Sequence, residues 1–145
     1  DKEVQVAKEI GKFYQNKKDW INAAKYYEKH LSSAKEDMET ILLLLQTYTE
    51  SANFEKLAKV SEDQMQLFPT QPQLYYYNGL ANNQLKNYKK AKDALESGID
   101  FVIDDVALEI NFNIQLGEAF SGLGDMKKKE LYFTKANELL KKQKK

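Results

Sequence analysis

The chain carries a single histidine, His30, and no cysteine, so the side chains that most often run nucleophilic, acid–base and metal chemistry are nearly missing. One imidazole cannot build a zinc site of several histidines or supply repeated triads. The absence of thiols removes disulfides, thiolate metal sites and cysteine nucleophiles together. His30 is therefore expected to be a packed or partly exposed neutral side chain. Asp104 and Asp105 offer two carboxylates, but adjacent residues diverge and make a poor acid–base pair. Their place just before a helical pattern predicts capping and a favourable helix dipole instead. Gly122-Leu123-Gly124 has the glycines of a phosphate loop without the lysine motif that should follow, and fits an ordinary turn. Catalysis is not expected, and neither is a cofactor or a metal.

Two lysine clusters are the next candidates: Lys86, Lys89, Lys90 and Lys92, and then Lys127, Lys128 and Lys129. Asp93, Glu96, Asp125 and Glu130 interrupt them, which predicts a solvated face rather than a phosphate-binding stripe. Lys141, Lys142, Lys144 and Lys145 suit the end of a terminal helix. Over the whole sequence 22 basic residues balance 22 acidic ones, so no net field favours nucleic acid or an anionic membrane. The longest apolar run, Ile41 to Leu45, is far short of the ~20 residues that span a bilayer. A soluble chain is expected, with cytoplasm and periplasm both open. It starts at Asp1 rather than Met, as expected of a processed or excerpted form. A length of 145 residues fits one domain that buries roughly 70% of its unfolded surface.

Leu, Ala, Lys, Glu and Gln dominate, with two prolines and six glycines, so the intrinsic preference is helical. The elements come from a repeat. Asp19-Trp20, Asn53-Phe54 and Asn87-Tyr88 recur every 34 residues, and Asp125-Met126 follows four residues late. Aligned on these pairs, the units run 4–37, 38–71, 72–105 and 110–143, with Val106 to Glu109 inserted. Within each unit a first helix carries Ile10-Gly11 with Tyr14, Leu44-Leu45 with Tyr48, Asn78-Gly79 with Asn82, or Leu116-Gly117 with Phe120. The second helix carries Ala23 with Tyr27, Leu57 with Ser61, Ala91 with Leu95, or Lys129 with Phe133. Helices are predicted at about 3–16, 20–33, 38–51, 54–67, 72–85, 88–103, 106–122 and 126–142. Asp19, Asp37, Asn53, Thr70, Asn87, Asp105 and Asp125 are the expected N-caps, and Pro72 falls in a first turn.

This pattern resembles the tetratricopeptide repeat, W-x2-L-G-x2-Y followed by A-x3-F and later P, over essentially the whole chain. The tryptophan position holds Ala7, Ile41, Tyr75 and Asn113, and the closing proline is present as Pro69. Leu45, Asn82 and Lys129 depart from the pattern. The resemblance implies an all-α, right-handed superhelical α-α solenoid of four helix-turn-helix repeats, eight helices in a single domain. It also implies a non-enzymatic module that binds a protein or peptide on the concave face lined by the first helices, with self-association allowed.

In that register the three tyrosines of Gln73-Leu74-Tyr75-Tyr76-Tyr77 take different roles, because successive helical residues point about 100° apart. Tyr75 is core, Tyr77 faces a shoulder or the neighbouring unit, and Tyr76 turns into the groove. The peptide-groove candidates are Lys8, Lys12, Leu42, Gln46, Tyr76, Leu80, Asn83 and Ile114. They combine aliphatic and aromatic anchors with amides for an extended backbone, and lysines at one end for a carboxylate. Chaperone-binding relatives grip a C-terminal carboxylate with a set of lysine, asparagine and basic residues. Lys8 matches the first of these, but Lys12, Leu43, Gln73 and Tyr77 replace the rest, so that clamp is absent. A spacer within a longer repeat array and an RNA-binding solenoid are the alternative functions.

Overall fold

A computed structural model describes residues 2–144. Its helices are α1 (Lys2–Asn16), α2 (Trp20–Leu31), α3 (Met38–Glu50), α4 (Phe54–Leu67), α5 (Pro72–Gln84), α6 (Tyr88–Ile99), α7 (Val106–Gly122) and α8 (Met126–Gln143). No strand occurs among the described residues. The chain is all-α, an eight-helix repeat fold, and it divides into two compact units, Asp1–Lys56 and Leu57–Lys145.

The repeat is visible in the backbone itself. Lys18, Ala52, Lys86 and Gly124 have φ of 60°, 56°, 63° and 80°, each just before the residue that precedes a second helix. Each of their amides bonds the carbonyl three residues back. The next amide, of Asp19, Asn53, Asn87 or Asp125, bonds the carbonyl five residues back at 2.8–2.9 Å. This is one helix-ending motif made four times: a left-handed residue turns the chain and satisfies the carbonyls that the finished helix leaves open.

The first unit contains α1, α2, α3 and the opening of α4. Gly11 faces the ring of Tyr27, and fully buried Ala7 and Ala23 belong to the same helix pair. Tyr14 stacks on Tyr26 with centroids 5.7 Å apart. The Tyr48 hydroxyl donates to Glu28 Oε1 at 2.6 Å and so links α3 to α2.

The second unit contains the rest of α4 and α5 to α8. Ala91, Leu95, Leu108, Phe112, Leu116 and Phe120 lie at the centre of its core, and Tyr75, Tyr76 and Tyr132 pack against them. Phe120 stacks on Tyr132 at 5.5 Å, in the places that Tyr14 and Tyr26 hold in the first repeat. Gly79 faces Leu95 and Gly117 faces Phe133, again small against large. The inserted turn joins α7 as expected and brings it to 17 residues.

Two boundaries and two caps differ from the sequence reading. α2 stops at Leu31 rather than 33, and α6 at Ile99 rather than 103. Phe101 and Val102 leave the helix through tight turns to Gly98 and Ile99, and the Phe101 ring lies 5.8 Å from Tyr75. The aspartates Asp19, Asp37, Asp105 and Asp125 accept amide hydrogen bonds as caps. Asn87 caps with no side-chain bond, and Gln71 rather than Thr70 precedes α5, also without one. Pro72 at the start of α5 has no N–H and its φ is already helical, so little is left for a cap to do there.

Candidate functional site

In the first unit, α1 carries Lys8 and Lys12 one turn apart. Lys8 Nζ lies 2.9 Å from Asp37 Oδ2 and 2.8 Å from Glu39 Oε1, and Lys12 Nζ lies 3.3 Å from Glu39 Oε1 and 3.6 Å from Glu9 Oε1. Asp37 also accepts from Thr40 Oγ1 at 2.8 Å and sits 2.9 Å from His30 Nε2. Burial pushes the Asp37 carboxyl up, but the hydrogen bonds from Lys8, Thr40 and His30 more than offset it and hold the group well below the usual carboxylate range. Hydrogen bonds to Glu39 and then Asp37 raise Lys8 above its ordinary value. The two lysines expected to receive a partner's carboxylate therefore already hold carboxylates of α3 and its cap. Leu42 is half-buried and Gln46 exposed, one turn apart on α3.

In the second unit, α5 carries Tyr76, Leu80 and Asn83, and the neighbouring α7 carries Ile114. Tyr76 is half-buried, its ring 6.1 Å from Phe112 and 5.3 Å from Tyr77, and burial raises its hydroxyl pKa. Leu80 and Ile114 are half-buried. Asn83 is not a free amide: its Nδ2 donates to both the backbone O and Oε1 of Gln115 at 2.9 Å, bracing α5 against α7. Tyr75, expected in the core, is only half-buried: it packs against the core from outside, because its hydroxyl reaches out to donate to Pro69 O at 2.7 Å. His30 lies in the Asp37 network, with 14% of its side chain exposed.

Glu39 and Gln115 are partners of the candidate residues that the sequence did not point to. A signal existed for Glu39, which follows the cap of α3 by two residues in a helix bearing few other charges. Gln115 gave none, because an amide beside Ile114 is common on any helix surface.

The sequence matches no family model and no curated protein. Solved structures do match it. MamA 41-end from Desulfovibrio magneticus RS-1 superimposes with a TM-score of 0.82 at 21% identity, over 98% of this chain and 78% of that one. MamA MSR-1 gives 0.77 at 16% identity over 97% and 78% of the two chains. BtubC (BKLC) from P. vanneervenii gives 0.77 at 16% identity over 97% and 64%. The likeness is one of fold. Eight helices with four matching interhelical turns also fit a tetratricopeptide-type repeat. No helix among the described residues is long and apolar enough to cross a membrane.

Proposed function

We propose that the chain is a non-enzymatic interaction module of the tetratricopeptide type, a single domain of repeats 4–37, 38–71, 72–105 and 110–143, that binds a segment of another protein on its first-helix faces. The observation that carries this reading is the α5–α7 face. Tyr76, Leu80 and Ile114 remain partly open to solvent on two helices held together by the Asn83–Gln115 bonds. Half-exposed aromatic and aliphatic side chains on a braced support can bury area without the cost of ordering them. In the first unit Leu42 and Gln46 present a smaller version. Lys8 and Lys12 offer their stems and part of their charge there, with the carboxylates of Glu39 and Asp37 already in place. The partner is a protein or peptide whose contacts are mainly apolar and amide-like.

Peptides selected from a random display library against the whole chain provide the test. Tyr76→Ala combined with Leu80→Ala is expected to weaken the selected peptides tenfold or more with the helical content unchanged. Undiminished binding would remove this face from consideration.

A second reading, a segment that stacks on further repeats or on its own copies, rests on exposed apolar side chains of α1 and α8. Val6 and Phe13 are 47% and 56% exposed, and Leu131 and Leu140 are 49% and 40% exposed. Concentration-dependent sedimentation that Phe13→Ser abolishes would favour it.

A further inference from the structure

A cleft of about 490 Å3 opens in the second unit where α6, α7 and α8 converge. Its origin is legible in the repeat. Asn113 occupies the place that Tyr75 holds one repeat earlier, and there the Tyr75 side chain lies against Gly98 and Phe101. Asn113 is too short to fill the same space. In addition, α7 and α8 run to 17 and 18 residues, against 13 and 12 for α5 and α6. Glu109 of the inserted turn and Leu139 and Lys142 late in α8 also line this space.

The apolar part of the cleft's lining is Ile99, Leu116, Tyr132 and Leu139. Among the polar groups of the lining, the unpartnered atoms are mostly acceptors. Asn113 is 3% exposed, and its Nδ2 is engaged by Glu109 O at 2.9 Å. Its Oδ1 accepts nothing among the described residues and is not sealed from solvent, so it opens onto the cleft that Asn113 lines. A donor on a ligand in the cleft can therefore take the place of water at this oxygen. Glu96, Glu109 and Glu138 also line the cleft and form no ion pair among the described residues. Of the two lysines present, Lys135 is drawn over the Tyr132 ring at 5.0 Å, and Lys142 lies in the last turn of α8, where the helix carbonyls favour it. Three carboxylates, one amide oxygen and four apolar side chains call for a ligand with many donors, no acceptor and a hydrocarbon stem. Arginine alone among side chains has that combination in a planar head.

We propose that this cleft receives an arginine side chain of a partner polypeptide, with its guanidinium donating to Asn113 Oδ1 and the surrounding carboxylates and its stem lying on Leu116 and Leu139. The apolar lining also includes Ile99 and Tyr132, which aliphatic residues flanking the arginine would cover. This distinguishes a polypeptide from a free small cation. The site lies apart from the residues of the α5–α7 face and stands whether or not that face binds a peptide.

The probe is the capped tripeptide Leu-Arg-Leu, titrated into the whole chain while the amide and side-chain resonances are followed by NMR. Binding is expected to move the Asn113 side-chain amide and the Tyr132 and Leu139 signals. Citrulline in place of arginine keeps the shape without the charge, and is expected to weaken binding at least tenfold. Glu109→Gln together with Glu138→Gln, both near the surface, should do the same with folding unchanged. Asn113→Trp, which refills the cleft, should abolish binding, and if that variant fails to fold the paired glutamine variant carries the test. Equal affinity for the citrulline peptide, shifts confined to Tyr76 and Leu80, or no binding at millimolar peptide would overturn the proposal. Capped arginine amide alone binding as tightly as the tripeptide would overturn the assignment to a polypeptide.

Discussion

A methyl carbon placed on Gly79 would lie 2.4 Å from both Cγ and Cδ2 of Leu95, so α5 and α6 approach more closely than any side chain at position 79 allows. The same relation joins Gly11 to Tyr27 at 2.6 Å and Gly117 to Phe133 at 2.4 Å. Gly79→Ala is therefore expected to lower stability by about 1–3 kcal/mol, since the core must shift to admit even one carbon. Paired with Leu95→Ala, most of that added penalty should vanish, because the opposing side chain is gone. Urea unfolding of the four proteins measures both effects. Additive losses would show that residues 79 and 95 do not oppose each other.

The left-handed turn residues make a separate prediction. Nothing lies within 4 Å of a Cβ placed on Gly124, so the cost of Gly124→Ala is conformational alone, about 1 kcal/mol. Lys86 already carries that cost at φ 63°. Lys86→Gly relieves it while loosening the unfolded chain, so its net change should be smaller than that of Gly124→Ala and lie nearer zero. Equal losses in both variants would contradict this turn geometry.

Acid should act through Asp37. Its folded-state pKa lies below the ordinary 3.8, so the stability it contributes is present above that value. This stability is lost as pH falls from about 4 toward the depressed folded pKa, because the unfolded chain takes up the proton first. Asp37→Asn removes the linkage and also the ion pair with Lys8. The variant should be less stable near neutrality and show a flatter decline below about pH 4 in denaturant titrations. A parallel decline in both proteins would show that Asp37 is not the group responsible.

Alkali should act through tyrosines. Burial first, and then the carboxylates of Glu9 and Glu39, push Tyr27 up to about 12, and its hydroxyl donates to Gln15 Oε1. Burial and the bond to Glu28 raise Tyr48 as well. Raised folded pKa values mean that this stability is whole below 10 and is lost as pH climbs through the folded value. Tyrosinate absorbance should therefore lag for these two rings until the chain unfolds. Tyr48→Phe should lose stability less steeply between about pH 10 and pH 12 than the wild type. Full ionisation of all tyrosines near pH 10 in the folded chain would contradict this.

The helices were legible because period, capping residues and turn composition all pointed the same way. Asp19, Asn53, Asn87 and Asp125 each follow a left-handed turn residue and open a second helix as the 34-residue spacing implies. The end of α6 was less legible, since Phe101 and Val102 suit a helix by pattern and leave it through tertiary contact with Tyr75. The polar chemistry at the candidate positions was less legible. Lys8 and Lys12 looked free because Glu39 meets them only across two helices, and Asn83 looked available because Gln115 lies 32 residues away in sequence. Long-range polar pairing leaves no periodic trace, whereas apolar packing does.

The central claim is that the α5–α7 face engages a partner segment. Amide hydrogen exchange of the whole chain with and without a display-selected peptide tests it most directly. Protection is predicted to concentrate in residues 76–83 and 111–118 and to disappear in the Leu80→Asp variant. Protection elsewhere that Leu80→Asp leaves intact, or none at saturating peptide, would contradict it.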